Sequence, residues 1–321
     1  MFDNPVPGRQ LLIASTGGHL AQLVKWAPQI GAESDSLWVT FRSPQSDSLL
    51  EGRRVLHVPY VPPRGVRQAA KAFTVMMREI DWRAENFTTA MSTGAAVALP
   101  GLGAARIHRV PSFYFESVSR VNGPSLTGKL LAFDPWTRKS CQYQHWANKR
   151  WTYRGSLFDN YSTIERLGSQ RPSLFVTLGT IRPYRFDAMV DAILATGLAD
   201  ERTVWQLGET SRDDLPGYAE TQFSREKFEK YARNADVVIT HSGVGTIMEL
   251  LDMGIFPVVV PRRAKRGEHV DDHQLQVAKI LTEREIALVA EVEDLDRGAI
   301  LQASNRAMTK GEQVLGHLPP Q

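Results

Sequence analysis

The sequence predicts an α/β protein made of two doubly wound domains, and three observations lead there. The chain has 321 residues, 42% of them hydrophobic and 23% charged, too long for one ordinary core and suited to two domains of roughly 150 residues each. Short apolar runs alternate with amphipathic stretches of helical length through both halves, as in a parallel sheet covered by helices on both faces. One run in each half ends in a glycine turn that opens straight into a helix.

Taken in order, the first half offers apolar strand candidates at 10–14, 36–40, 55–58, 88–92 and 112–115. Between and after them, apolar residues recur at helical spacing over 18–29, 66–81, 95–104 and 125–131. The second half repeats the alternation, with strands expected at 173–177, 203–206, 237–240, 256–260 and 287–290 and helices at 185–196, 225–233, 245–253 and 272–282. Residues 155–172 carry mixed polar side chains, Gly168 and Pro172 without clear periodicity. The expected domains are therefore 1–155 and 173–321, joined by a linker over 156–172.

Composition removes several classes. A lone Cys141 can form no intramolecular disulfide and no thiolate zinc site, which fits a reducing, cytoplasmic setting. No apolar run nears the roughly 20 residues that span a bilayer. The start, with Asp3, Pro5 and Pro7, lacks the basic and then apolar pattern of a signal peptide. The net charge of +3 hides a split: up to residue 160 there are 19 Lys and Arg against 11 Asp and Glu, and beyond it 19 against 24. A basic half suits nucleic acid, anionic lipid or phosphorylated substrates. No helix-turn-helix, zinc or aromatic-platform signature accompanies it, so nucleic acid is not an expected partner.

Two turns carry the chemistry. Ser15-Thr16-Gly17-Gly18-His19 follows the first strand and lets backbone N–H groups at a helix start approach an anion. It is neither a dinucleotide fingerprint nor a P-loop. In the second half a β-branched strand runs into His241-Ser242-Gly243-Val244-Gly245-Thr246, leaving N–H and O–H groups for a diphosphate. Glu249 shares a helix face with Thr246, where it either accepts from ribose hydroxyls or complements the helix dipole. Farther on, Arg262, Arg263, Lys265 and Arg266 form a charged loop that ends at Asp271-Asp272-His273-Gln274. His269 and His273, four apart, would suit a metal in a continuous helix; Gly267 and the cations favour a loop, and no metal is expected.

At these residues the chain resembles the GT-B glycosyltransferases of family 28. The second half is similar to the catalytic subunit of the two-part eukaryotic enzyme that adds the second N-acetylglucosamine to dolichol diphosphate, through Leu174 to Thr180, His241 to Leu251 and Asp272-His273-Gln274. The first half resembles that enzyme's membrane-recruiting subunit, through Ser15 to His19, Ser92-Thr93-Gly94-Ala95-Ala96 and Phe115-Glu116-Ser117. Bacterial paired subunits of exopolysaccharide synthesis and the single-chain lipid II N-acetylglucosaminyltransferase are similar. The likeness runs from about residue 9 to 290, as if the two subunits were fused.

The resemblance implies two Rossmann-like domains facing each other across a cleft, the first for the acceptor and membrane, the second for the nucleotide sugar. It implies an inverting, metal-independent transfer of a hexose or uronic acid from a UDP-sugar to a polyprenyl-diphosphate-linked saccharide, forming a β-linkage, with no cofactor. A UDP-sugar epimerase of the same fold, or transfer to a small soluble acceptor, is the alternative. Donor binding would fall to Gly179, Thr180, Phe223, His241, Ser242, Gly243, Gly245, Thr246, Glu249, Asp272, His273 and Gln274, with Arg182 near the diphosphate or a donor carboxylate. Thr16, Gly17, Gly18, Thr93 and Gly94 would hold the acceptor, with His19, or else Glu116, as the base. The recruiting subunit's transmembrane helix has no counterpart here, so attachment to the anionic inner face of the cell membrane would be peripheral. Two amphipathic basic segments, 66–82 and 126–136, are candidates for that contact.

Overall fold

The computed structural model describes residues 6–62, 64–179, 183–269 and 273–311, with the side chain of His273 left aside. The chain separates into two compact units between Asp159 and Asn160.

The first unit runs β1 (Gln10–Ala14), α1 (Gly18–Gln29), β2 (Leu37–Thr40), α2 (Pro44–Leu49), β3 (Arg54–His57), α3 (Val66–Glu79), α4 (Trp82–Glu85), β4 (Thr89–Gly94), α5 (Ala98–Ile107), β5 (Ser112–Phe115), α6 (Leu126–Leu131), β6 (Thr137–Cys141) and β7 (Thr152–Tyr153). All seven strands are parallel, in the order β3-β2-β1-β4-β5-β6-β7. β1 is buried at every residue, which explains its unbroken apolar run: helices cover both sheet faces. Polar side chains start the helices where local chemistry asks for them. Ser43 and Ser46 form a reciprocal capping box on α2, and Ser125 caps α6 through the Gly128 amide.

The second unit runs β8 (Tyr161–Glu165), β9 (Leu174–Thr177), α7 (Asp187–Ala195), β10 (Val204–Gln206), β11 (Tyr218–Glu220), α8 (Arg225–Asn234), β12 (Val237–His241), α9 (Val244–Asp252), β13 (Val258–Val260), α10 (His273–Glu283), β14 (Leu288–Val289), α11 (Arg297–Ser304) and β15 (Arg306–Lys310). Its main sheet is also parallel, ordered β11-β10-β9-β12-β13-β14. Each sheet thus reverses its strand order once, between β1 and β4 in the first unit and between β9 and β12 in the second. In a doubly wound sheet that reversal opens a crevice at the carboxyl ends of the strands.

Several sequence expectations shift. Residues 156–172, read as a linker, are structured: Leu157 and Phe158 are buried, and Tyr161–Glu165 pairs antiparallel with Arg306–Lys310. Their outward polar residues hid the strand, because an edge ribbon needs only one apolar face. β6 escaped for the same reason, since Arg138 points outward from an otherwise mostly buried strand. α5 begins at Ala98, three residues later than expected, because the chain first turns through Gly94.

The two amphipathic basic segments differ in how far their apolar residues are covered. On α3, Ala72 and Met76 are buried in the core of the first unit with Ile80 beyond its end, while Val66 is 81% exposed and Ala70 is exposed, so only part of that stripe faces inward. On and after α6, Leu126, Leu130 and Phe133 stay exposed, Phe133 by 80%. Among the described residues, no helix is long and apolar enough to cross a membrane.

Candidate functional site

In the first unit the reversal point brings the start of α1 against the end of β4. Gly17 precedes the helix at φ 87°, and the Gln45 side-chain amide accepts from its N–H and donates to its carbonyl. His19 sits in the first turn, half-buried. Its Nδ1 lies 2.7 Å from the Thr93 carbonyl, and the Thr93 hydroxyl donates to the His19 carbonyl at 2.8 Å. A carbonyl can only accept, so Nδ1 carries the proton and Nε2 holds the lone pair. Gly94, at φ 111°, is required here: a Cβ would approach the His19 ring to 2.9 Å and the Tyr114 hydroxyl to 3.2 Å. Burial, with the charge of Arg120, lowers the His19 pKa against the opposing pull of the Thr93 carbonyl, which keeps the imidazole neutral at pH 7. Thr16 lies in the same turn, partly exposed.

Glu116 is placed differently. It is fully buried at the end of β5 and accepts from the Ser117 amide, the Ser125 amide and hydroxyl and the Tyr114 hydroxyl, at 2.9–3.2 Å. A Cβ on Gly128 would run into its Oε2. Burial raises its pKa against these donors. With its acceptor sites taken, Glu116 pins the loop between β5 and α6.

In the second unit the reversal point lies between Gly179, at φ 76° just past β9, and the turn after β12. The His241 ring fills the space between them, where a Cβ on Gly179 would come within 2.6 Å of it and one on Gly243 would collide. The Ser242 hydroxyl donates to the Gln274 carbonyl at 3.0 Å, tying this turn to the start of α10. Gly243 caps α9, and Gly245 and Thr246 follow in its first turn with the face partly open, Glu249 one turn on. The Phe223 ring packs with Phe175 and Tyr231 in the core, and its amide donates to the Gln206 side chain. Thr180, Arg182, Asp272 and the side chain of His273 lie outside the described residues.

Two residues escaped sequence reasoning. Gln45 holds Gly17 from a separate helix, a contact with no local signature. Arg262, read as one of four loop cations, is fully buried and bonded to three backbone carbonyls. Its position two residues past an all-valine buried strand was the available signal.

Comparison with known proteins places this geometry. Residues 192–313 match the glycosyltransferase family 28 C-terminal domain. The matched stretch spans less than half of the chain and most of the second unit. The UDP-N-acetylglucosamine--N-acetylmuramyl-(pentapeptide) pyrophosphoryl-undecaprenol N-acetylglucosamine transferase of Streptococcus sanguinis is 27% identical over 70% of this chain and 67% of its own length. Its namesake in Idiomarina loihiensis is 35% identical over 26% of this chain and 22% of its own length, and that of Legionella pneumophila 22% identical over 70% and 64%. Those last two matches thus span less than two thirds of the relatives they align with. Among solved structures, MurG of Acinetobacter baumannii superposes with a TM-score of 0.57 at 17% identity, covering 92% of this chain and 89% of that one. The glycosyltransferase SnogD of Streptomyces nogalater gives 0.56 at 17%, with 93% of each chain covered. The fold is that of the GT-B glycosyltransferases.

The wedged His241 has a measurable consequence. Burial first, then the charge of Arg262, pushes its pKa down to about 3. The unfolded chain takes up that proton near pH 6.5, so the stability it confers is complete above that pH and is lost as pH falls toward 3. At pH 5 the loss amounts to about 2 kcal/mol. Thermal unfolding of wild type and His241→Gln between pH 7 and pH 5 should show a shallower acid-side loss in the variant; identical slopes would refute this.

Proposed function

We propose that this chain is an inverting glycosyltransferase that moves a hexose or hexuronic acid from a UDP-sugar to a saccharide on a polyprenyl diphosphate. The observation that carries the reading is the His19 site: an imidazole with its tautomer set by the Thr93 carbonyl, at the reversal point of the first sheet, in a chain whose residues 192–313 match the family 28 C-terminal domain. The curated relatives, named for transfer of N-acetylglucosamine to a pyrophosphoryl-undecaprenol-linked sugar, support the donor and acceptor classes.

In this reading the acceptor is held by Thr16, Gly17, Gly18, Thr93 and Gly94, and the donor by Gly179, Ser242, Gly243, Gly245, Thr246, Glu249 and Gln274. Thr180, Arg182, Asp272 and His273 keep the donor roles their sequence positions suggest. The reaction requires the two bound substrates to meet. His19 Nε2 takes the proton of the acceptor hydroxyl as its oxygen bonds to the anomeric carbon, and the bond from that carbon to the diphosphate breaks on the opposite side. An α-linked donor gives a β-glycoside. N–H groups at the start of α9 stabilise the departing diphosphate, groups already in place before the charge develops. No metal takes part in this scheme.

The setting is the inner face of the cell membrane, where a lipid-linked acceptor resides. Of the two basic amphipathic segments, the one at α6 supports contact: Leu126, Leu130 and Phe133 are exposed, Lys129 and Lys149 are exposed nearby, and the Arg150 guanidinium lies 5.8 Å from the Phe133 ring centre. Apolar side chains ringed by cations suit an anionic bilayer surface.

Three measurements test the reading. His19→Ala should lower kcat by about 100-fold or more, and wild-type kcat/KM should stay level near pH 7 and fall only below the ordinary histidine range, because the neutral form is the active one. A variant with near-normal kcat removes His19 from the chemistry. Transfer from a panel of UDP-sugars should continue in EDTA; loss restored by magnesium or zinc would instead assign a metal. Co-sedimentation with anionic vesicles should weaken by about tenfold in Leu130→Asp/Phe133→Asp, while an unchanged bound fraction would place the membrane face elsewhere.

A further inference from the structure

Arg262 follows Pro261 just past β13, yet its guanidinium acts on the other side of β12. Nη2 donates to the Leu178 carbonyl, one residue past the end of β9, and Nη1 donates to the carbonyls of Tyr184 at 2.9 Å and Glu268 at 3.0 Å. The group also lies 5.0 Å from the centre of the Phe186 ring. One side chain therefore grips the backbone at Leu178 and at Tyr184 and ties both to the loop after β13. It does so across the reversal point, where its charge reaches the His241 ring between Gly179 and Gly243.

The charge on this clamp is poorly matched. Among the described residues, every hydrogen-bonded partner of the guanidinium is a neutral carbonyl and Nε has no acceptor. Glu268 is near enough to act on the charge but makes no ion pair with it among the described residues, and its Oε2 accepts from the Arg263 amide instead. Burial pulls the Arg262 pKa down to about 10, which leaves the group cationic at pH 7. Holding a cation away from water without an ion-paired anion is costly, and an apolar side chain could fill the same volume without that cost. Clamping three carbonyls accounts for the hydrogen bonds but not for the unmatched charge.

We infer that Arg262 is a positioning residue whose fixed charge is completed by an anion bound at the β9–β12 reversal point, and that this anion is the diphosphate of a nucleoside diphosphate. The inference rests on the donor-site reading of the second unit and adds a residue to it. Arg262 shapes the Gly179 turn through the backbone and supplies field from behind it. The N–H groups at the start of α9 face the ligand directly.

Calorimetric titration of the full chain with UDP and with uridine separates charge from shape, because only UDP carries the diphosphate. Wild type should prefer UDP. Arg262→Gln should weaken UDP binding by about tenfold while leaving uridine affinity within about twofold, and Arg262→Lys, which keeps the charge but loses the forked bonds, should retain the UDP preference within about threefold. Equal loss of both ligands in Arg262→Gln, no loss of either, or loss of the preference in Arg262→Lys would overturn the inference. Should Arg262→Gln fail to fold, Arg262→Lys alone decides: a kept preference supports it and a lost one rejects it. A wild type that binds neither UDP nor uridine overturns the donor-site reading itself, an outcome distinct from all of these.

Discussion

Parallel strand pairing is the constraint from which the rest of this molecule follows. When every strand of a sheet runs the same way, every carboxyl end opens on one edge. The connections beside the reversal point leave toward opposite faces of the sheet. In the first unit Ile13 pairs with Ser92, and in the second Thr177 pairs with Thr240. Those registers bring the turn after β1 against the end of β4, and the turn after β9 against that after β12. Two turns that face each other at this range cannot both carry side chains. Gly94 yields to His19, and Gly179 and Gly243 yield to His241.

The two histidines occupy comparable places in the two units and are both kept neutral by burial, yet their surroundings differ. His19 is half-buried and held through one nitrogen by a carbonyl, which leaves the other free to act on a proton. His241 is enclosed between glycines and works as a spacer that keeps two turns apart. Glu116 shows the third arrangement, a carboxylate whose acceptor capacity is consumed by its own loop. The amino-acid type alone distinguishes none of these roles; the partners of each polar atom do.

Much of the architecture was legible in the chain. The apolar runs of β1 and β5 and the span of α1 match the expected ranges, because buried parallel strands and amphipathic helices write their burial directly into residue order. Elements with one exposed face, such as β6, β8 and β15, left no comparable trace. At the sites, glycines at reversal points could be found from turn chemistry. Long-range partners could not: Gln45 reaches Gly17 from 28 residues away, and Arg262 reaches Leu178 from 84 residues away. Met76 on α3 is buried and Leu130 on α6 is exposed, though both lie on similar apolar stripes, since periodicity reports that a stripe exists and not what covers it.

The ribbon formed by β8 and β15 has a consequence for how such a chain can be assembled. It zips the first strand of the second unit to its last, and the Gly311 amide donates to the Asn160 carbonyl at 2.9 Å. A module whose two ends are fastened together closes on itself and needs no neighbour to hold them. Cutting the backbone beside Asn160 would leave the ladder and both sheets intact. A break there would therefore leave a unit whose first and last strands remain paired to each other.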